Sequence, residues 1–266
     1  MTLRSAAHRL QQGVSVAWLL ALREWHADYR QSRMVLVWPL AQPLAYTALF
    51  ILLRPIMGGG LQHDPGAFAV FVFLGFTLWQ SWFEVLRAEM DAIRRHKGLM
   101  SRGELGIATL VLATAISGLF QLLPRLVLVV VAAVLVLHAD AAALAGLVVF
   151  SFLVLANGVV IGALLQPFAT LSPDLGKTVQ SMSLGLMVTG AVFFPLPERL
   201  PDAVRFLLAV NPMGTLLNAA RAPLFEQPFA NPWALAAWLV LTLGFAILLP
   251  YAGRRVLPIV VERLGG

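Results

Sequence analysis

Long apolar runs separated by short loops, with positive charge confined to alternate loops, constrain this chain more than any other feature. A helix needs about 20 apolar residues to cross a hydrocarbon core of about 30 Å, and several stretches meet that length. Charged residues make up 12% of the chain and hydrophobic residues 59%, where soluble domains carry about 25% charged residues. The mean hydropathy is +0.83. These features predict an all-α, polytopic membrane protein.

The apolar pattern predicts six spans, near Met34–Leu53, Ala67–Val85, a third ending at Leu137, Ala142–Leu165, Val179–Phe194 and Trp233–Tyr251. Cytoplasmic loops carry an excess of Lys and Arg. Arg4, Arg9, Arg23, Arg30 and Arg33 precede the first span. Arg87, Arg94, Arg95, Lys97 and Arg102 surround the loop after the second. Lys177 precedes the fifth, and Arg254, Arg255 and Arg263 follow the sixth. Only Arg54, Arg199, Arg205 and Arg221 fall on the other side. Both termini are therefore expected in the cytoplasm. The isoelectric point near 10.7 reflects this asymmetry and needs no nucleic-acid partner. The expected organisation is a cytoplasmic N-terminus over residues 1–33, a transmembrane domain over 34–253 and a cytoplasmic tail over 254–266.

Two segments depart from a plain six-span bundle. The stretch Leu10–Tyr29 puts Val14, Ala17, Trp18, Ala21, Leu22 and Trp25 at helical spacing, with Arg23, Asp28 and Arg30 on the polar side. That pattern predicts an amphipathic helix in the cytoplasmic interface; a signal peptide would need a small-x-small cleavage site, and none follows. The stretch Pro195–Pro232 is too long for a turn and too apolar for water. Its short amphipathic pieces, broken at Pro201, Pro212 and Pro223, predict a re-entrant pair of helices at the outer side. A flat pair on the outer leaflet is the alternative. The cytoplasmic loop Arg87–Gly106 has helical spacing up to Lys97, and Gly98 is a candidate for the end of that helix.

The chemistry that is missing narrows the function. No cysteine is present, so disulfides, thiol catalysis and cysteine-ligated metal are excluded. The five histidines are scattered, with no H-E-x-x-H pattern. Gly176-Lys177-Thr178 resembles the end of a phosphate-binding loop, but that motif needs glycine where Leu171 stands. The chain is therefore expected to hold no nucleotide of its own and to act as no enzyme. Ion-driven transporters keep carboxylates near the midplane; only Glu84 is expected near a span, at its cytoplasmic end. Arg125, twelve residues before Leu137, lies about 18 Å into the third span. It either snorkels or faces the bundle interior toward an anionic ligand.

The approach to the first span reads "LREWHADYRQSRMVLVWPLAQP". It resembles the membrane subunits of ABC-2 type exporters, specifically the permeases of capsular polysaccharide and O-antigen export. Arg23, Glu24, Tyr29, Arg33, Trp38 and Pro43 match the family pattern; Val35 replaces its usual glycine, and Asp28 occupies a usual basic position. "HKGLMSRGELG" resembles the coupling segment after the second span, and "SPDLGK" the acidic loop before the fifth. "FFPLPERLP" and "NPMGTLLNAARAPLF" resemble the outer re-entrant segment, with Asn211, Pro212 and Arg221.

This resemblance implies a half-transporter in the inner membrane. Two copies form a pore, and two copies of a separate cytoplasmic ATPase supply ATP and magnesium. The cargo implied is lipid-linked polysaccharide, handed on to periplasmic and outer-membrane proteins. Arg23, Glu24, Arg94, Arg95, His96, Lys97 and Arg102 would couple to the ATPase. Arg125 and the aromatic residues Trp79, Trp82, Phe193 and Phe194 are candidates for the substrate pathway, since aromatic faces stack on sugar rings. Span-end aromatics also serve as interfacial belts. Teichoic acid, a drug or another lipid is the alternative cargo.

Overall fold

The computed structural model describes residues 3–31, 37–54, 64–102, 105–194, 201–227, 229 and 231–265. Among the described residues every element is a helix: α1 (Leu3–Gln31), α2 (Trp38–Leu53), α3 (Pro65–Arg95), α4 (Lys97–Ser101), α5 (Ile107–Leu137), α6 (Ala141–Leu171), α7 (Pro173–Thr189), α8 (Asp202–Val210), α9 (Pro212–Arg221) and α10 (Pro232–Gly265). Met34, Arg33, residues 195–200 of the outer segment and residues 103 and 104 of the cytoplasmic loop lie outside the described residues.

Helices α3, α5 and α6 are long and apolar enough to cross a membrane, and Pro39–Leu53 and Pro232–Leu248 are shorter apolar helices. Each of the long three has 31 residues, about 46 Å at 1.5 Å per residue. That exceeds a hydrocarbon core of about 30 Å, so their ends project beyond it. Their starts are set by local chemistry. Asp64 accepts bonds from the Gly66 and Ala67 amides at 2.9 and 3.1 Å, with Pro65 in the first helical position. Asp140 accepts from the Ala143 amide at 2.7 Å. His138 ends α5 in a left-handed conformation, φ 52°, and Ala139 and Asp140 then lead into α6.

The bundle is organised around α3, whose most apolar window is 83% buried against 28% for α5. Helices α2, α5, α6 and α9 pack against it. The α3–α6 contact depends on missing side chains. A Cβ at Gly162 would lie 2.6 Å from the Leu86 carbonyl oxygen, and one at Gly158 2.8 Å from that of Trp82. These glycines form a G-x-x-x-G pair, the spacing that lets two helix backbones approach within a membrane.

Several boundaries differ from the sequence expectation: α6 runs on to Leu171 and α10 to Gly265, through most of the expected tail. The second span continues as α3 to Arg95, and the break falls at His96; Gly98 lies inside α4. The His96 backbone N–H bonds the Ala92 oxygen while its φ/ψ leaves the helical region. The helix over the expected fifth span ends at Thr189, five residues before Phe194, because Gly190 turns the chain and Ala191 adopts φ 54°. The outer segment folds as the expected two short helices. However, α9 is largely buried against the bundle while α8 is largely exposed.

Gly162→Leu should destabilise the protein by about 1–3 kcal/mol or more, the cost of overpacking. Thermal unfolding in detergent measures it. Gly244→Ala, where an added Cβ meets nothing within 4 Å, should leave the midpoint unchanged or slightly raised.

Candidate functional site

Arg125 is 1% exposed and paired. Its guanidinium forks onto Glu84 of α3, Nη1 donating to Oε2 at 2.7 Å and Nη2 to Oε1 at 3.1 Å. Nη1 also donates to the Ser81 hydroxyl at 3.1 Å. Nε donates to the Pro39 carbonyl at 3.2 Å. That carbonyl is available because Pro43, four residues on, has no N–H to give it. Gln80 extends the network, donating to Glu84 at 2.8 Å and to Gln42 of α2 at 2.9 Å. A lone arginine at membrane depth is costly, and removing one member of a buried pair costs about 3–5 kcal/mol. The only arginine expected within a span thus meets the carboxylate expected nearest one. That complementarity is the signal in the sequence, although the two residues are 41 positions apart.

Beside this network the α3–α5 interface holds a cavity of about 30 Å³, lined by Ser81, Glu84, Ala88, Thr114, Ser117 and Gln121, among others. Its size would admit a water, with the Ser81, Ser117 and Glu84 oxygens among its lining as polar partners. A second acidic residue was not expected inside the bundle. Glu89 is fully buried; Gln166 of α6 donates to its carboxylate and to its backbone oxygen, both at 3.0 Å. Its helical position was legible, but the continuation of α3 past Arg87 was not.

Trp79, Phe193 and Phe194 come together in one aromatic cluster with Tyr46, Phe50, Phe76 and Phe83. Phe50 stacks on Phe193 at 4.1 Å between centroids, Tyr46 lies 4.4 Å from Phe76, and Trp79 stacks on Phe83 at 5.2 Å. Phe76 joins the two halves, 5.9 Å from both Phe193 and Trp79. The cluster ends on two buried atoms without hydrogen-bond partners, Trp79 Nε1 and Gln80 Oε1. Trp82 is not part of it. It points toward α6, donates to Asn157 at 3.0 Å and is 2% exposed.

The outer residues brace the end of α7. Asn211 donates to the Leu186 carbonyl at 2.9 Å and caps α9 by accepting from Gly214, with Pro212 in the first helical position. Arg221 is 1% exposed and donates to the carbonyls of Ala191, Val192 and Phe71 at 2.7, 2.6 and 2.9 Å. The first two are carbonyls of the turn that ends α7. Its guanidinium also sits 3.6 Å from the Phe71 ring centroid. This position requires glycine at 75, where a Cβ would lie 1.9 Å from Arg221 Nη2.

Around the junction of α3 and α4 the expected coupling residues divide. Glu24 of α1 meets His96 Nε2 at 3.2 Å and Arg95 Nη1 at 4.0 Å, and accepts from the Ser117 hydroxyl at 3.2 Å. Arg94 pairs with Asp91 on its own helix. Arg23, Lys97 and Arg102 are exposed and stand apart from this cluster. Helix α1 docks on α5 through Ala17, Leu20 and Ala21, with Trp18 and Trp25 edge-on to Phe120. Val14, Val16 and Leu19 stay exposed. Among the described residues no cluster of three or more His, Asp or Glu side chains could hold a metal ion. No family model matches the chain, and no curated protein matches it.

Burial tends to raise the Glu24 carboxyl. The His96 hydrogen bond, the charges of Arg95 and His96 and the Ser117 hydroxyl outweigh it and hold the carboxyl below its ordinary value. A depressed carboxyl stabilises the docked state above its unfolded pKa, about 4.3 for glutamate, and that contribution is lost as pH falls through the depressed value. Glu24→Gln should therefore speed amide exchange over residues 11–27 at neutral pH by about three- to tenfold, the size of one partly exposed charge-assisted hydrogen bond. The difference from the native chain should vanish at acid pH. Hydrogen-exchange mass spectrometry at matched pH values reads both.

Proposed function

We propose that this chain is the membrane-spanning subunit of an ATP-driven ABC-2 exporter of lipid-linked polysaccharide. In this reading α2, α3, α5, α6, α7 and α10 are the six spans in the inner membrane, and both termini are cytoplasmic. Two copies enclose the pathway, and a separate ATPase, present twice, hydrolyses ATP. The sequence resemblance motivates the family, and the aromatic cluster along α2, α3 and the end of α7 carries the cargo class. Phe76, Phe83 and Phe193 are buried against their neighbours in this packing; when the cluster parts, flat rings in series would offer many weak stacking faces to a sugar chain, and a polymer must bind yet keep moving. The unpartnered Trp79 Nε1 and Gln80 Oε1 add a donor and an acceptor suited to hydroxyl groups.

The motion would enter at the cytoplasmic end. Helix α4 follows α3 after the single residue His96, and Glu24 ties α1 to the same place. ATP-driven closure of the ATPase pair would push there and shift the bundle between two packings, the bistable element that switching needs. Arg95 already serves Glu24 and the Ala88 carbonyl, so the exposed Lys97 and Arg102 are the cleaner contacts for a partner.

The test is co-purification with the ATPase encoded beside this gene, followed by ATPase assays with and without lipid-linked glycan. A stable complex stimulated by glycan is the expected result. In that complex Trp79→Ala should weaken glycan stimulation by about three- to tenfold, the worth of one ring contact. Lys97→Glu combined with Arg102→Glu should abolish stimulation at unchanged yield of folded protein. A complex indifferent to glycan would move the cargo to teichoic acid, a drug or another lipid. Failure to bind any ATPase would overturn the exporter reading.

A further inference from the structure

We propose that Arg125 and Glu84 form a latch that holds α2 in place, closed on the carbonyl that Pro43 leaves without a helical donor. Helix α2 packs mainly on α3, and Leu44, Leu49, Ile51 and Leu52 on its outer side are exposed. Among the described residues, the links from within α2 to its neighbours include, apart from ring contacts, Arg125 Nε to the Pro39 oxygen and Gln80 to Gln42. Both lead back to Glu84. One ion pair on α3 and α5 therefore controls the docking of a third helix.

Two observations make this a latch and not a fixed rivet. Glu84 is 35% exposed and borders the small cavity between α3 and α5, so its carboxylate is not sealed in the bundle and can be hydrated when the pair opens. The closed network is also incompletely satisfied. A single Gln80 nitrogen serves both Glu84 and Gln42 while its Oε1 accepts nothing. An unpaired buried oxygen costs free energy in the closed arrangement, so the closed network is less rigid than a fully satisfied one. Release of α2 would move Tyr46 and Phe50 away from Phe76 and Phe193, parting the aromatic cluster. Only that last consequence, a gate on cargo, rests on the exporter reading.

The chain has no cysteine, so one introduced thiol reports without background. Thr47 is 7% exposed, and Thr47→Cys becomes reactive to a small maleimide in detergent when α2 lifts. Ser151→Cys, at a fully buried position of α6, is the control reporter. Arg125→Lys keeps the charge opposite Glu84 but loses the geometry of the Nε bond. It should speed labelling at Thr47→Cys about tenfold, the loss of one charge-assisted hydrogen bond, and leave Ser151→Cys unchanged. Pro43→Ala supplies Pro39 with a helical N–H. In that background the same Arg125→Lys change should have an effect smaller by about threefold or more, the non-additivity expected of residues sharing one contact. Unchanged labelling in Arg125→Lys would overturn the latch. So would equal acceleration at Ser151→Cys, or an undiminished effect beside Pro43→Ala. No ATPase or glycan enters the assay, so its outcome is separate from that of the exporter test.

Discussion

Every polar group placed inside an apolar bundle must find its partner within the protein, and here those partners meet on α3. Arg221 of α9 reaches the Phe71 carbonyl near the start of that helix. Arg125 of α5 meets Glu84 and Ser81, and Gln42 of α2 meets Gln80. Trp82 reaches Asn157 of α6, which donates to Thr242 of α10 at 2.8 Å. Gln166 of α6 meets Glu89, and Glu24 of α1 meets His96 just past the helix end. Apolar packing has little preference between a neighbouring helix and a lipid tail. The polar contacts, each with one satisfactory geometry, specify which neighbour lies where around α3. Gly75, Gly158 and Gly162 admit those neighbours at the needed distance.

The prolines belong to the same scheme. A proline inside a helix frees the carbonyl four residues earlier. In α2 the freed Pro39 oxygen is taken by Arg125, so a local defect becomes the point of attachment to another helix. At the end of α7, where the backbone leaves the helix, Arg221 takes two carbonyls. Both buried arginines thus act on backbone that its own helix does not satisfy. The planar guanidinium suits this role, since its five donors can serve several acceptors from one buried position; lysine, a point charge on a flexible stem, cannot reproduce it.

The helices were legible because hydropathy is a local property. The run to Leu137 matched the end of α5, and the helical spacing around Ala17 and Ala21 matched the helix α1, but not its docking on α5, where Leu20 is buried and Val14 and Trp18 stay half exposed. Boundaries set by local competition were harder to read. Gly98 carried the stronger stop signal, yet the break fell at His96, whose ring lies between Ala92 and Glu24. The relation of Trp79 to Trp82 was not legible either. Three residues apart, they are close on a helix surface, and which one faces α6 depends on where Asn157 stands, 75 residues along the chain. The same limit separated Arg125 from Glu84. Each was conspicuous alone, and only the packing of α3 on α5 joined them.

The cavity on that α3–α5 seam links the two ends of the candidate site. Ser117 lines it and donates to Glu24, the residue that docks α1. Ser81 and Glu84 line it and bind Arg125, the residue that holds α2. A shift of α5 against α3 would strain the Arg125–Glu84 bond directly, and Glu24 of α1, which holds Ser117 of α5 and His96 just past α3, would feel the same shift. Packed interfaces move between discrete arrangements and do not deform continuously. If force applied at α1 and α4 moves that seam, the first charged contact it meets inside the bundle is the one that fixes α2.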